Sequence, residues 1–166
     1  PVGGVMVFAR TSKAASRLAE QIRRRELRRE YLAVVHGYLD SLEGTLEGFL
    51  FKDRRRNLVQ MVEPGTRGAQ KAKLQYKVMG MAEGCTLVRI RLETGRSHQI
   101  RVQMAALGHP LVGDQRYGPP SPGQQIALWA EYLNLIHPTT QERLEFRQPP
   151  PLVKPWSVFQ DVLRRK

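Results

Sequence analysis

The segment best equipped for chemistry is Arg91-Leu92-Glu93-Thr94-Gly95-Arg96-Ser97-His98-Gln99-Ile100-Arg101. An alternating run ends at Leu92 and Gly95 makes a turn. A helix is predicted from Ser97 to Leu107, closed by Gly108 and Pro110. A helix start presents unpaired backbone N–H groups and the positive end of its dipole. Arg96 sits at that mouth. His98 and Arg101, three residues apart, share one helix face. The arrangement suits an anchor for a phosphate or a carboxylate. A capped helix carrying solvated basic side chains explains the spacing equally well, because such turns are common.

Other reactive residue types offer less. His36, His109 and His137 are too dispersed to suggest a metal site. The single cysteine, Cys85, excludes an internal disulfide framework and a multi-cysteine metal site. It has no evident base partner and reads as structural. The expectation is a reduced, cytoplasmic protein.

The formal charge of +12 narrows the partner. Such a balance favours phosphate backbones or anionic membranes. No basic helix with a Trp/Phe/Leu face is evident, so nucleic acid is the better reading and a membrane is not expected. Charge alone does not choose RNA over DNA, or binding over catalysis. The 166 residues fit one domain, 1–166, with a real core. The chain opens on Pro1 and enters an apolar run within a few residues, which suggests a true start further upstream.

The elements that must position the basic turn follow from periodicity. Val5 to Ala9 reads as a buried strand. Thr11 or Ser12 caps a helix running to about Arg25, with Ala15, Leu18, Ala19 and Ile22 as its apolar stripe. Tyr31 to His36, Thr45 to Phe51 and Asn57 to Val62 read as strands. Ala72, Leu74, Tyr76 and Val78 alternate with Lys71, Lys73, Gln75 and Lys77, predicting a half-buried antiparallel strand with a basic outer face. A second such strand follows Gly84-Cys85, with Val88, Ile90 and Leu92 inside. Ile100, Met104 and Leu107 form the stripe of the next helix. Ile126 to Leu135 and Arg143 to Phe146 are further strands, and Pro155 to Arg165 a closing helix. Many strands, few helices and hairpin-length connections predict an α+β fold with a mixed, mainly antiparallel sheet.

Two blocks carry a resemblance to a known family. Thr94-Gly95-Arg96-Ser97-His98-Gln99-Ile100-Arg101, then Gly108-His109-Pro110-Leu111-Val112-Gly113-Asp114 and Tyr117, resembles the third motif of the RluA-type RNA pseudouridine synthases. Arg29-Glu30-Tyr31-Leu32-Ala33-Val34-Val35-His36-Gly37 resembles the second. Lys52-Asp53 with Arg56-Asn57, Ile126-Ala127-Leu128 and His137-Pro138 also match, in order. The resemblance implies a mixed sheet with flanking helices around an RNA-binding cleft, in a monomer. It implies isomerisation of uridine to pseudouridine in ribosomal or transfer RNA, with no cofactor. Such chemistry needs an ionised carboxylate beside the sugar and a platform for the unstacked base.

By that resemblance Arg101 pairs with the catalytic aspartate and Tyr31 packs against the target base. Arg96 and His98 match motif positions and are expected to contact RNA. So are Lys71 and Lys73 on the basic strand face and, in part, the arginines at 23–25, 28, 29 and 54–56 (Arg28 and Arg29 foremost), although a solvated basic face explains any single one of these arginines as well. Asp40, Asp53, Asp114 and Asp161 have no matching context for the nucleophile. The family's register places it about two residues before Pro1, which makes the chain alone an inactive fragment. The alternative is a non-catalytic RNA-binding module with the same fold.

Overall fold

The computed structural model describes residues 2–164. Its strands are β1 (Gly3–Gly4), β2 (Arg28–His36), β3 (Glu43–Asp53), β4 (Leu58–Val62), β5 (Gln70–Ala82), β6 (Cys85–Leu92), β7 (Leu128–Ile136) and β8 (Arg143–Arg147). The helices are α1 (Ser12–Arg23), α2 (Gln99–Ala106) and α3 (Gln160–Arg164), the last preceded by a 3-10 turn over Trp156–Phe159. The expected closing helix is thus split, and its Arg165 end lies outside the described residues, as does Pro1. The strands form one sheet in the order β1-β7-β2-β6-β5-β3-β4, with β8 also on β7. Only β1 runs parallel to its neighbour. This is the expected α+β architecture.

Successive side chains of a strand point to opposite faces, and here both faces are covered. Ala33, Val35, Leu74, Tyr76, Val88 and Ile90 form one core with Ile100 and Met104 of α2. Leu32, Val34 and Leu87 form a second with Trp156 and Phe159. The half-buried expectation for β6 is therefore corrected at the sheet centre, where Thr86, Leu87 and Val88 are all buried. Continuous apolar runs are the signature of two-sided burial. Each fully buried Leu or Ile stabilises by about 1.5–3 kcal/mol. Ile100 and Met104 are 5% and 0% exposed, enough to hold a helix of only 8 residues in place. Leu107, expected in that stripe, lies past the helix end and is exposed.

The strand expected at Val5–Ala9 does not form. β1 is only Gly3–Gly4, paired with Trp129 and Ala130 of β7. The same edge of β7 is taken by β8 from Tyr132 to Ile136, so the chain must leave the sheet. Met6 and Phe8 are exposed as a result. Gly4, at φ +110°, lies so close to the Ala130 backbone that a Cβ has no room.

Helix α1 is capped as expected: the Thr11 hydroxyl accepts from Ala14 N–H. Its buried face differs, because Gln21 rather than Ile22 is turned inward. The Gln21 amide donates to Ile136 O at 2.7 Å and accepts from Ile136 N at 2.9 Å. A polar side chain thus satisfies the edge of β7.

Candidate active site

Tyr31 of β2 stands beside an irregularity in the β2–β7 ladder. Glu30 pairs with Tyr132 and Tyr31 with Ala130, so Glu131 is an extra, bulged residue. Bulges bend a strand and re-aim its side chains. Glu131 is held at the bulge by Arg89 at 3.3 Å and Arg147 at 3.2 Å.

Opposite Tyr31 lies the turn from β6 into α2. The Arg29 guanidinium packs closely against Gly95, and a Cβ there would push that side chain aside. The buried Gln99 side chain ties the turn together. Its Oε1 accepts from Thr94 Oγ1 at 2.8 Å and from Arg96 N at 3.0 Å, and its Nε2 donates to Lys73 O at 3.1 Å. His98 occupies the cap position in a left-handed conformation, φ 52°, sparsely populated for a non-glycine residue.

The site's polar groups are fastened in a chain. Arg101 Nε and Nη2 donate to the two oxygens of Asp114 at 2.8 and 2.6 Å. Asp114 Oδ1 also accepts from Arg116 N and Tyr117 N, at 3.0 and 3.1 Å. That closes the Gly113-Asp114 turn and points the Tyr117 ring under Arg101, 4.9 Å from the guanidinium carbon. The Tyr117 hydroxyl accepts from Val59 N at 3.0 Å and lies 2.8 Å from His98 Nδ1. The hydroxyl keeps a second lone pair and its proton for the His98 contact, so the direction of that bond follows the His98 tautomer.

Burial pushes the Asp114 carboxyl up, but the Arg101 hydrogen bond and the two backbone N–H groups bring it below its ordinary value. The Asp114 hydrogen bond raises the Arg101 guanidinium against the effect of burial. His98 is lowered, first by burial and then by the cations Arg101, Arg116 and Lys52, which favours the neutral ring.

These elements enclose a cleft of about 470 Å³, a size suited to a small ligand. Tyr31, Leu128 and Ala130 form one wall, Arg96, His98, Ile100 and Arg101 another, and Val2, Gly3, Val5 and Met6 the rim. Four of the expected residues, Tyr31, Arg96, His98 and Arg101, therefore meet in one place. Ile100, read in the sequence as core, both packs in the core and lines the cleft. The carboxylate that Arg101 holds is Asp114, and the cleft is lined by no carboxylate among the described residues.

The remaining expected contacts lie elsewhere. Arg28 and Arg29 border a recess of about 210 Å³ shared with Arg25, Arg91 and Glu93. Lys71 and Lys73 alternate with core residues and so face away from Tyr31. Lys71 pairs with Glu47 at 2.5 Å, and Lys73 lies 3.5 Å from Glu93. Both join the site through their backbone carbonyls: Lys71 O accepts from Arg96 Nε at 3.0 Å and Lys73 O from Gln99 Nε2 at 3.1 Å. Sequence reasoning missed two contacts: Asp114 with Arg101, and Tyr117 with His98. Both residues stood in the resembling block, but spacing across a loop carries no sign of contact.

Comparison with known proteins identifies the family. The family model described as RNA pseudouridylate synthase matches residues 1–106. A Bacillus subtilis protein named RNA pseudouridine synthase YjbO is 39% identical over 151 residues, covering 89% of this chain and 52% of that protein. Ribosomal large subunit pseudouridine synthase D of Haemophilus influenzae is 36% identical over 163 residues, covering 89% and 49%. The chain spans about half the length of the curated relatives it matches. Among solved structures, human RNA pseudouridylate synthase domain containing 1 superposes with a TM-score of 0.69 at 24% identity, covering 95% of this chain and 74% of that one. The human domain containing 4 gives 0.70 at 21% identity, covering 93% and 69%. At that identity the likeness shows the fold.

Proposed function

This chain belongs to the RNA pseudouridylate synthase family, and from that premise we propose that its cleft isomerises uridines of ribosomal or transfer RNA to pseudouridine. The observation that carries the reading is the meeting of Tyr31, Arg96, His98 and Arg101 around one cleft. The reaction breaks the bond from C1′ to N1, turns the uracil and joins C5 to C1′. C5 loses a proton and N1 gains one, so atoms balance without redox chemistry. Tyr31 supplies the face on which the extruded base rests. Arg101, fastened by Asp114 through Nε and Nη2, makes no other hydrogen bond among the described residues. Its remaining amino group serves to orient an incoming carboxylate.

That carboxylate is not Asp114, whose oxygens are occupied and which is 1% exposed. The nucleophile that the family resemblance implies is an aspartate not among residues 2–164. The protein acts in the cytoplasm as a monomer and needs no cofactor. The bare cleft wall favours one other reading, a non-catalytic RNA-binding module. Assay of pseudouridine formation in bulk ribosomal and transfer RNA separates them. The chain alone is expected to make none, and the complete protein to make it. Absence of product from the complete protein establishes the binder. Product from the chain alone refutes the assignment of the nucleophile.

A further inference from the structure

Beyond Arg96, on the side away from Tyr31, lies a second recess of about 490 Å³. Its floor is apolar, made by Leu50 and Val59, which are 3% and 2% exposed. Its walls come from three places: Lys52 at the end of β3 with Arg54 just beyond it, Gln70 at the start of β5, and Arg96 with Ser97 before α2. Lys52 Nζ donates to Ser97 Oγ at 3.2 Å, which joins the β3–β4 hairpin to the turn of the active site.

The charge of this recess is one-sided. No acidic residue lines it among the described residues. Among the described residues Lys52, Arg54 and Arg96 form no salt bridge, whereas their neighbour Arg56 lies 3.9 Å from Asp53. Asp53 is also turned inward on its own hairpin, accepting from Arg55 N and Arg56 N. Uncompensated cations around a concave surface with amide and hydroxyl groups fit an anion, and the apolar floor and the volume fit something larger than a bare ion. Arg96 is a wall of this recess and of the cleft, so a ligand can pass from one to the other without leaving the surface.

We infer that this recess is a second nucleotide subsite, which receives a phosphate and the attached nucleoside immediately flanking the uridine held in the cleft. Lys52, Arg54 and Arg96 take the phosphate oxygens. Leu50 and Val59 meet the base or ribose, and Gln70 and Asn57 are the groups able to read its edge. The cleft selects the uridine and this recess fixes the strand that leads to it. The inference rests on the functional reading above. Its own content is the position of one phosphate.

The test uses the complete protein and a short single-stranded RNA with one central uridine. Each linkage is replaced in turn by an uncharged methylphosphonate, and affinity is measured for wild type, Arg54→Gln and Arg55→Gln. Both side chains are exposed, and Arg55 does not line the recess. Wild type and Arg55→Gln are expected to lose about tenfold in affinity at one linkage beside the uridine. Arg54→Gln is expected to lose affinity for the native RNA and to be indifferent to that same linkage. Equal sensitivity of all three proteins at every linkage, or equal behaviour of Arg54→Gln and Arg55→Gln, overturns the subsite. An RNA with an abasic central position is the second arm. If Tyr31→Ala abolishes no preference for uridine over the abasic site, the cleft reading falls, while the linkage result still decides the recess.

Discussion

Arg101 and Arg54 carry the same charge on two sides of Arg96, in opposite circumstances. Arg101 is clasped by a carboxylate that is 1% exposed and stands over the Tyr117 ring. Arg54 is exposed and has no carboxylate partner among the described residues. The cleft spends its polar groups on each other: Asp114 on Arg101, Tyr117 on His98, Gln99 on Thr94 and Arg96. The recess leaves its cations without a carboxylate partner among the described residues. A cation already satisfied by the protein is a positioned tool, and one left unsatisfied is a place for a phosphate. Loss of the first kind should damage the fold and the chemistry, and loss of the second only affinity.

The largest effect is expected at Asp114. Asp114→Ala leaves the Arg101 guanidinium and the N–H groups of Arg116 and Tyr117 without their acceptor. Breaking a buried pair from one side costs about 3–5 kcal/mol. Denaturant unfolding of Asp114→Ala beside Arg54→Gln sharpens the contrast, since an exposed substitution such as Arg54→Gln is expected within about 0.5 kcal/mol of wild type. Equal stability of the two variants breaks it.

Arg101→Lys comes next. Lysine keeps the charge but loses the planar fork that grips Asp114. In the complete protein, single-turnover pseudouridine formation is expected to fall by roughly a hundredfold, the scale of a small misplacement at a reacting centre. RNA affinity should change little. Collapse of affinity with a preserved rate at saturating enzyme makes Arg101 a phosphate contact.

Acid should reach the clasped side first. The folded-state values of His98 and Asp114 are both depressed, so each contributes stability that is present above its unfolded value and lost as pH falls. His98 acts as pH drops below its ordinary value of 6.5. Asp114 acts as pH drops through the ordinary value of 3.8 and on through the folded one. Stability of His98→Gln is expected to be flatter between neutral and mildly acidic pH, and that of Asp114→Asn flatter at lower pH. A wild-type curve that rises on acidification contradicts both shifts.

The smallest effect belongs to the recess. RNA affinity of the wild type should fall steeply with salt, because phosphate contacts release counterions. Arg54→Gln should reduce the slope of log affinity against log salt by about one. An unchanged slope removes Arg54 from the contact.

Much of this was legible in the chain. The alternation of Ala72, Leu74 and Tyr76 against their lysines, and the stop at Gly108 and Pro110, follow from local chemistry and reappear in β5 and α2. Tyr31 and the 94–101 turn were singled out by residue type and resemblance, and they meet. Val5–Ala9 misled because an apolar run fits a strand only if an edge is free, and β8 holds that edge. Gln21 was overlooked because its burial depends on the unpaired backbone of Ile136. The Arg101–Asp114 pair crosses 13 residues through a loop, a contact that periodicity does not encode.

The most direct measurement is single-turnover pseudouridine formation by the complete protein, wild type beside Tyr31→Ala, with an RNA-binding isotherm for each. If Tyr31 is the platform for an extruded uridine, wild type forms pseudouridine and Tyr31→Ala loses roughly a hundredfold in rate, while both bind RNA through their many other cations. A wild-type rate from Tyr31→Ala, or tight RNA binding by wild type with no pseudouridine formed, contradicts it.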